Sequence, residues 1–312
     1  MLQLFNNFSN KMIDSARKGT ENTKSSAGKI ALALTKIVLG YAWCIFIMAI
    51  ALILTAGVTL LISKEVAQTV FKSEFSANLI AIVGIVMTLI MAKKIDKLDN
   101  QALGINKNGV AKKYIVGLFL GIIIFGLVVG FGYLVQAFKY VGFNYETTII
   151  SAILAIGGFF IQGFFEEFFF KSYTLNVLSK HMKLIPAVLI SSILFACCHI
   201  FNTGIAFMPM INLFLFGIFT SCVVLLTDNI WLAAALHSGW NIAQGTIFGF
   251  NVSGGETNTS LLFFKGIRTE IINGGEFGPE GGLIVTCILL VATIVTMWLM
   301  IRKTEENQKN SK

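Results

Sequence analysis

Charge is what this sequence most lacks. Asp, Glu, Lys and Arg make up 13 % of its 312 residues, against about 25 % in soluble globular domains. With 55 % hydrophobic residues and a mean hydropathy of +0.78, a water-soluble fold is excluded and a polytopic membrane protein is indicated. No polar block is large enough for a separate soluble domain, so the length counts spans. The five cysteines (Cys44, Cys197, Cys198, Cys222 and Cys287) lie in apolar segments. They form neither an extracellular disulfide framework nor a paired metal motif. An apolar run followed by a small-residue cleavage site is missing from the polar N-terminal stretch, so a cytoplasmic tail is expected there rather than a cleaved signal peptide. Internal repeats are absent. The net charge of +8 is not a nucleic-acid signature, because the basic residues cluster at span ends, where positive charge marks the cytoplasmic side.

What is present is a series of runs near the ~20 residues a membrane helix requires. Eight are expected: Ile37–Ile62, Ala77–Ala92, Tyr114–Phe138, a fourth from Thr148, Leu184–Phe201, Phe207–Thr227, Ile230–Phe250 and Leu283–Ile301. The expected organisation is a cytoplasmic polar and basic tail over 1–36, a single all-α transmembrane domain over 37–301 with its core at about 148–250, and a cytoplasmic tail over 302–312. A membrane-surface helix is expected over Leu2–Ile13. Lysine-rich loops at Lys93–Lys113 and Lys171–Lys183 alternate with weakly charged or mixed ones, placing both termini in the cytoplasm. The long 251–282 connection reads as a flexible outer loop or as a lid over a cavity, and its Leu261–Phe264 core is expected to fold back onto the membrane.

Polar residues intrude into three of these runs. Glu166 and Glu167 sit in Gly157-Gly-Phe-Phe-Ile-Gln-Gly-Phe-Phe-Glu-Glu-Phe-Phe-Phe-Lys171. A charge at the bilayer centre costs about 3 kcal/mol on insertion scales, so such residues pair, line a wet cavity or do chemistry. Phe195-Ala-Cys-Cys-His199 and His237-Ser-Gly-Trp-Asn241 follow, and they hold two of the chain's three histidines. If the fourth helix stopped at Phe170, Glu166 would lie only about 6 Å from its end, with His199 about 22 Å deep. Nothing from Lys171 to Ser179 breaks a helix, and Pro186 marks the next start. One long helix with Glu166 near its middle is therefore expected. His237, about 10 Å into its helix, is left shallower than the other two.

Adjacent helical positions point about 100° apart. Glu167 and Lys171, at i and i+4, are expected to pair, which leaves Glu166 without a local cation, as suits a general base and acid. His237 and Asn241 share a helix face and can donate to an oxyanion or orient a water; the bland reading is a polar seam closed by Ser238 and Gly239. Buried glutamates and histidines also lock helices together without doing chemistry. A cysteine nucleophile beside His199 is disfavoured, because adjacent positions face apart and an apolar setting keeps the thiol protonated. Glu166, His199 and His237 could ligate zinc and leave a water in the fourth position.

These three motifs, in this order and on separate apolar segments, resemble those of the CAAX-protease and bacteriocin-processing family. Asn251-Val-Ser-Gly254 and Gly274-Gly-Glu-Phe-Gly-Pro-Glu280 resemble segments of bacterial members, and the likeness runs from about Leu103 to Ile301. The resemblance implies an eight-helix glutamate-type intramembrane endopeptidase in a bacterial cell membrane, its site enclosed by the fourth, fifth and seventh helices. It implies that Glu166 activates the attacking water, that His199 positions it, and that His237 and Asn241 stabilise the oxyanion. Glu167, Lys171 and Phe195 support them. Zinc is an older expectation for the family; the metal-independent view, with no cofactor, is followed here. The first motif usually ends in Arg, and Lys171 keeps the charge but not the planar fork. The implied substrates are leader peptides or membrane proteins, with no nucleic acid. The alternative is a non-proteolytic scaffold or immunity protein that binds a membrane partner such as a sensor kinase. A solute transporter would use the same charges as a relay, and the motif set gives no reason to expect one.

Overall fold

The longest apolar runs become the longest helices. A computed structural model describes residues 10–18, 27–64, 78–257 and 259–310. It is an all-α polytopic membrane fold in which every one of the eight expected segments contains a helix. In chain order these are α1 (Lys11–Arg17), α2 (Ala27–Ile62), α3 (Ala81–Ile90), α4 (Val110–Leu134), α5 (Ile149–Ser179), α6 (Leu184–Cys197), α7 (Phe207–Thr227), α8 (Ile230–Asn241), α9 (Glu270–Asn273) and α10 (Leu283–Asn310). Among the described residues, five helices are long and apolar enough to cross a membrane: α2, α4, α5, α7 and α10. Their outward faces carry exposed side chains such as Leu39, Ile53, Ile149 and Ile294, which suits lipid rather than water.

Helices in lipid gain little from apolar burial and associate through close backbone approach and hydrogen bonds. Here α8 is the central element, packed along α4 and α5. Gly117 and Gly121 of α4 face the backbone of Leu232 and Leu236, and Gly239 of α8 faces Leu118, so that no side chain fits between. Local signals set the ends. Thr148 and Asn229 cap α5 and α8 by accepting from Ser151 N and Trp231 N. Asp228, in the left-handed region at φ 51°, stops α7.

Several boundaries differ from expectation. The first helix begins at Ala27, inside the expected tail, because nothing in Ala27–Lys36 interrupts it. Most of the surface helix expected over Leu2–Ile13 lies outside the described residues; α1 starts at Lys11 and buries Met12, Ile13 and Ala16. The fifth segment ends at Cys197, not Phe201. Its 14 residues span about 21 Å, short of the ~30 Å hydrocarbon core. The Leu261–Phe264 core lies largely in a strand, Leu262–Gly266 (β2). It pairs antiparallel with Phe138–Phe143 (β1), over a layer formed by Phe138, Phe248, Phe250 and Phe264.

Candidate active site

The fourth, fifth and seventh apolar segments, now α5, α6 and α8, converge on Glu166. As the sequence predicts, α5 runs unbroken to Ser179. It does so through a π-helical turn over Phe168–Thr174, a device that recurs at functional sites. The Ser191 hydroxyl donates to the Phe170 carbonyl of this turn at 2.7 Å.

Neighbouring positions on the helix send the two glutamates different ways. Glu166 reaches a cavity of about 430 Å³ that is also lined by Tyr41, Gln162, Cys198, His199, Asn202 and the Val252–Gly255 segment. Gln162, one turn earlier, donates to Glu166 Oε1 at 3.1 Å. Oε2 of Glu166 lies 3.9 Å from His199 Nε2 and 3.9 Å from His237 Nε2. That separation is too long for a direct hydrogen bond and suits a bridging water.

Each imidazole is fixed by its other nitrogen. His199 sits in the turn after α6, and its Nδ1 is 2.9 Å from the Phe195 carbonyl. A carbonyl only accepts, so Nδ1 carries a proton, and in the neutral tautomer Nε2 turns a lone pair towards Glu166. His237 Nδ1 meets Glu167 Oε1 at 3.0 Å, with Glu167 fully buried. Phe195 stands between the rings, 5.1 Å from His199 and 6.1 Å from His237 by centroid. His237 is not shallow after all. The start of α8 is recessed beneath the 104–106 segment, where Ile230 N donates to Gly104 O and the Trp231 indole to Asn106 O.

One expectation is corrected. Glu167 does not pair with Lys171: the π-turn begins between them, the Glu167 carboxylate is taken by His237, and Lys171 Nζ is buried with no hydrogen-bond partner. It lies instead 4.9 Å from the centroid of the Phe195 ring. Asn241 lies one turn beyond His237, buried, with Oδ1 unpartnered, and it is not among the residues lining the cavity. Cys198 does line the cavity.

The zinc set also has a geometric answer. Ligands about 2.0–2.2 Å from a tetrahedral zinc lie about 3.3 Å from one another, whereas both nitrogens here are 3.9 Å from the carboxylate oxygen. Among the described residues no group of three His, Cys, Asp or Glu is arranged to hold a metal ion. As they stand, the three groups are spaced more widely than the ligands of a bound zinc.

Sequence reasoning missed three contributors. Gln162 carried a signal, its i,i+4 spacing to Glu166; Tyr41, far away in α2, carried none. The third is Glu280. Its Oε1 accepts from the Trp240 indole at 2.8 Å, and its Oε2 accepts from Ser253 N at 2.8 Å and Ser253 Oγ at 2.9 Å. Glu280 thereby ties Ser253 to α8, and Val252–Gly255 form a wall of the cavity. Next to the polar cavity, an apolar hollow of about 780 Å³ runs between α2 and α6 and shares Tyr41, Phe170, Cys198 and Phe201 with it.

Residues 148–243 match the family model described as type II CAAX prenyl endopeptidase Rce1-like. The match covers about a third of the chain and contains all seven residues singled out by the three motifs. No curated protein matches the chain.

Proposed function

We propose that this chain, whose residues 148–243 match the Rce1-like CAAX endopeptidase family model, hydrolyses peptide bonds of membrane-associated substrates with a water activated by Glu166. The observation that carries the reading is the convergence of Glu166 Oε2 with two imidazole Nε2 atoms, each 3.9 Å away, at the edge of a polar cavity within an apolar bundle.

A water held among these three atoms donates one hydrogen to Glu166 and the other to the lone pair of His199 Nε2. Glu166 takes its proton as the oxygen attacks the scissile carbonyl carbon, and a tetrahedral oxyanion forms. When His237 carries a second proton its Nε2–H faces that charge, and Glu167 balances the imidazolium from the Nδ1 side. Asn241 is assigned the second oxyanion donor, which requires its side chain to turn towards the substrate. Glu166 then passes its proton to the leaving nitrogen, the C–N bond breaks, and a carboxylic acid and an amine result, the acid giving its remaining proton to the amine. General acid–base catalysis of this kind contributes about 10²–10⁴-fold. The adjoining apolar hollow suits the hydrophobic part of a membrane-associated substrate.

The test compares peptide termini from cells lacking the gene and restored with wild type or Glu166→Gln at matched expression. New termini with wild type alone are the expected result. Equal rescue by both forms, with no change in termini, would make the protein a scaffold. Activity of the purified protein is expected to persist in a chelator; loss that zinc restores would reinstate the metal set.

A further inference from the structure

Two faces of the bundle differ in charge, and the cavity opens on only one of them. The first face is tied together by polar contacts among distant segments. Lys11 N donates to Asp228 Oδ1 at 2.7 Å, Arg17 Nε to Ser179 O at 2.9 Å, Lys180 Nζ to Asp96 O at 2.6 Å and Lys303 Nζ to Leu226 O at 2.7 Å. These contacts place α1, the 96–109 connection, the α5–α6 turn, the α7–α8 turn and the end of α10 at one end of the molecule. Nine of the chain's 24 lysines and arginines belong to those segments, and Lys18, Lys93, Lys94, Lys112 and Lys113 directly adjoin them.

The opposite face is assembled in the same way. Asn202 Nδ2 donates to Ser253 O at 2.7 Å, Thr147 Oγ1 to Ser260 O at 2.7 Å and Asn212 Nδ2 to Glu280 O at 2.7 Å. Its described basic residues are few, and they are interspersed with acids such as Glu146, Glu256, Glu270 and Glu276. The cavity that holds Glu166 is walled by Asn202, Thr203 and Val252–Gly255, all of this second face. Positive charge in short loops marks the cytoplasmic side.

We infer that the cavity opens on the extracytoplasmic face, so that its substrate is a peptide segment presented there: an exported peptide, or the outer juxtamembrane segment of a membrane protein. This rests on the proteolytic reading for what happens in the cavity, but not for which way the cavity faces. A tail confined to the cytoplasm would have to cross the bilayer to reach Glu166, and it is not a substrate. The mouth is lined by uncharged polar groups, Asn202, Thr203 and the backbone of Ser253–Gly255, which suits an extended peptide backbone rather than a charged head group.

The deciding experiment labels single added cysteines in the full chain with a membrane-impermeant maleimide, each compared with the parent that carries the native cysteines. Thr203 and Lys107, exposed on the second and first faces, are the positions, with Glu256→Cys as a second reporter should Thr203→Cys fold poorly. Thr203→Cys is expected to gain label in intact cells and Lys107→Cys only after permeabilisation. The reverse pattern, or no gain at either mouth position until permeabilisation, overturns the inference. A second arm gives an impermeant, internally quenched peptide library to right-side-out and inside-out vesicles, with Glu166→Gln as control. Cleavage confined to right-side-out vesicles supports the inference. Cleavage confined to inside-out vesicles overturns it while upholding the protease. Cleavage in neither withdraws the proteolytic reading, and the maleimide pattern still decides which way the cavity faces.

Discussion

Glu166 and Glu167 are adjacent in the chain and differ in every contact that matters. One faces a cavity; the other is sealed against His237 at 3.0 Å. Glu167→Gln keeps an acceptor for the His237 ring but removes the charge behind it. Loss of such a supporting carboxylate typically costs about 10–100-fold at metal-bound histidines. A loss of that order in kcat, with unchanged folded yield, is expected here; unchanged kcat would show that the contact only packs. Lys171 offers the opposite test. Its ammonium has no hydrogen-bond partner, and charges without good partners destabilise a buried site. Lys171→Met is therefore expected to melt at or above the wild-type temperature, and a large fall would mean that the cation balances Glu167 after all. The spacing made the three polar motifs visible, yet it assigned Lys171 to Glu167, because i,i+4 arithmetic assumes an α-helix throughout.

Two helices change character just where the motifs end. α5 turns to π-helix after Glu167, and α8 does so at Ile242–Ile247, directly after Asn241. Periodicity does not disclose this, since neither turn contains a proline to mark a break. The persistence of α5 to Ser179 was legible because nothing there breaks a helix. The β1–β2 ribbon was not, because Phe138 reads as the end of a span, the residues after it read as a loop, and their partner lies in a loop more than a hundred residues on. That loop is held by Glu280. Glu280→Ala would leave the Trp240 indole and both Ser253 donors unpaired, at about 1–3 kcal/mol for each buried group. The expected outcome is a lower melting temperature and a rise in KM larger than the fall in kcat, as the 251–255 wall loosens. A fall in kcat alone would place the role of Glu280 at His237 through Trp240.

At the scale of the whole molecule, α1 closes one end of the bundle. Asn10 donates to Leu225 O at 2.7 Å while its Oδ1 caps Ile13 N, and the Ser15 hydroxyl donates to Asp99 Oδ2 at 2.7 Å. Burial pushes the Asp99 carboxyl up, but the Ala102 N–H, the Ser15 hydroxyl and the charges of Lys18 and Lys93 outweigh it and hold it below its ordinary value. A depressed carboxyl stabilises the fold above its unfolded pKa of about 3.9 and stops doing so as pH falls through its folded value. Hydrogen-exchange protection of α1, corrected for intrinsic rate, is expected to drop below about pH 4; in Asp99→Asn that acid step should be missing. An unchanged step would assign it to another group.

The sequence alone determined that the chain lives in lipid, where its helices run and which side chains are out of place in them, because those follow from composition, length and period. Only the tertiary structure decided what those side chains meet. The pairing of Glu167 with His237, the recessed start of α8 and the Glu280 anchor all join segments distant in the chain, and local pattern carries no record of such distances.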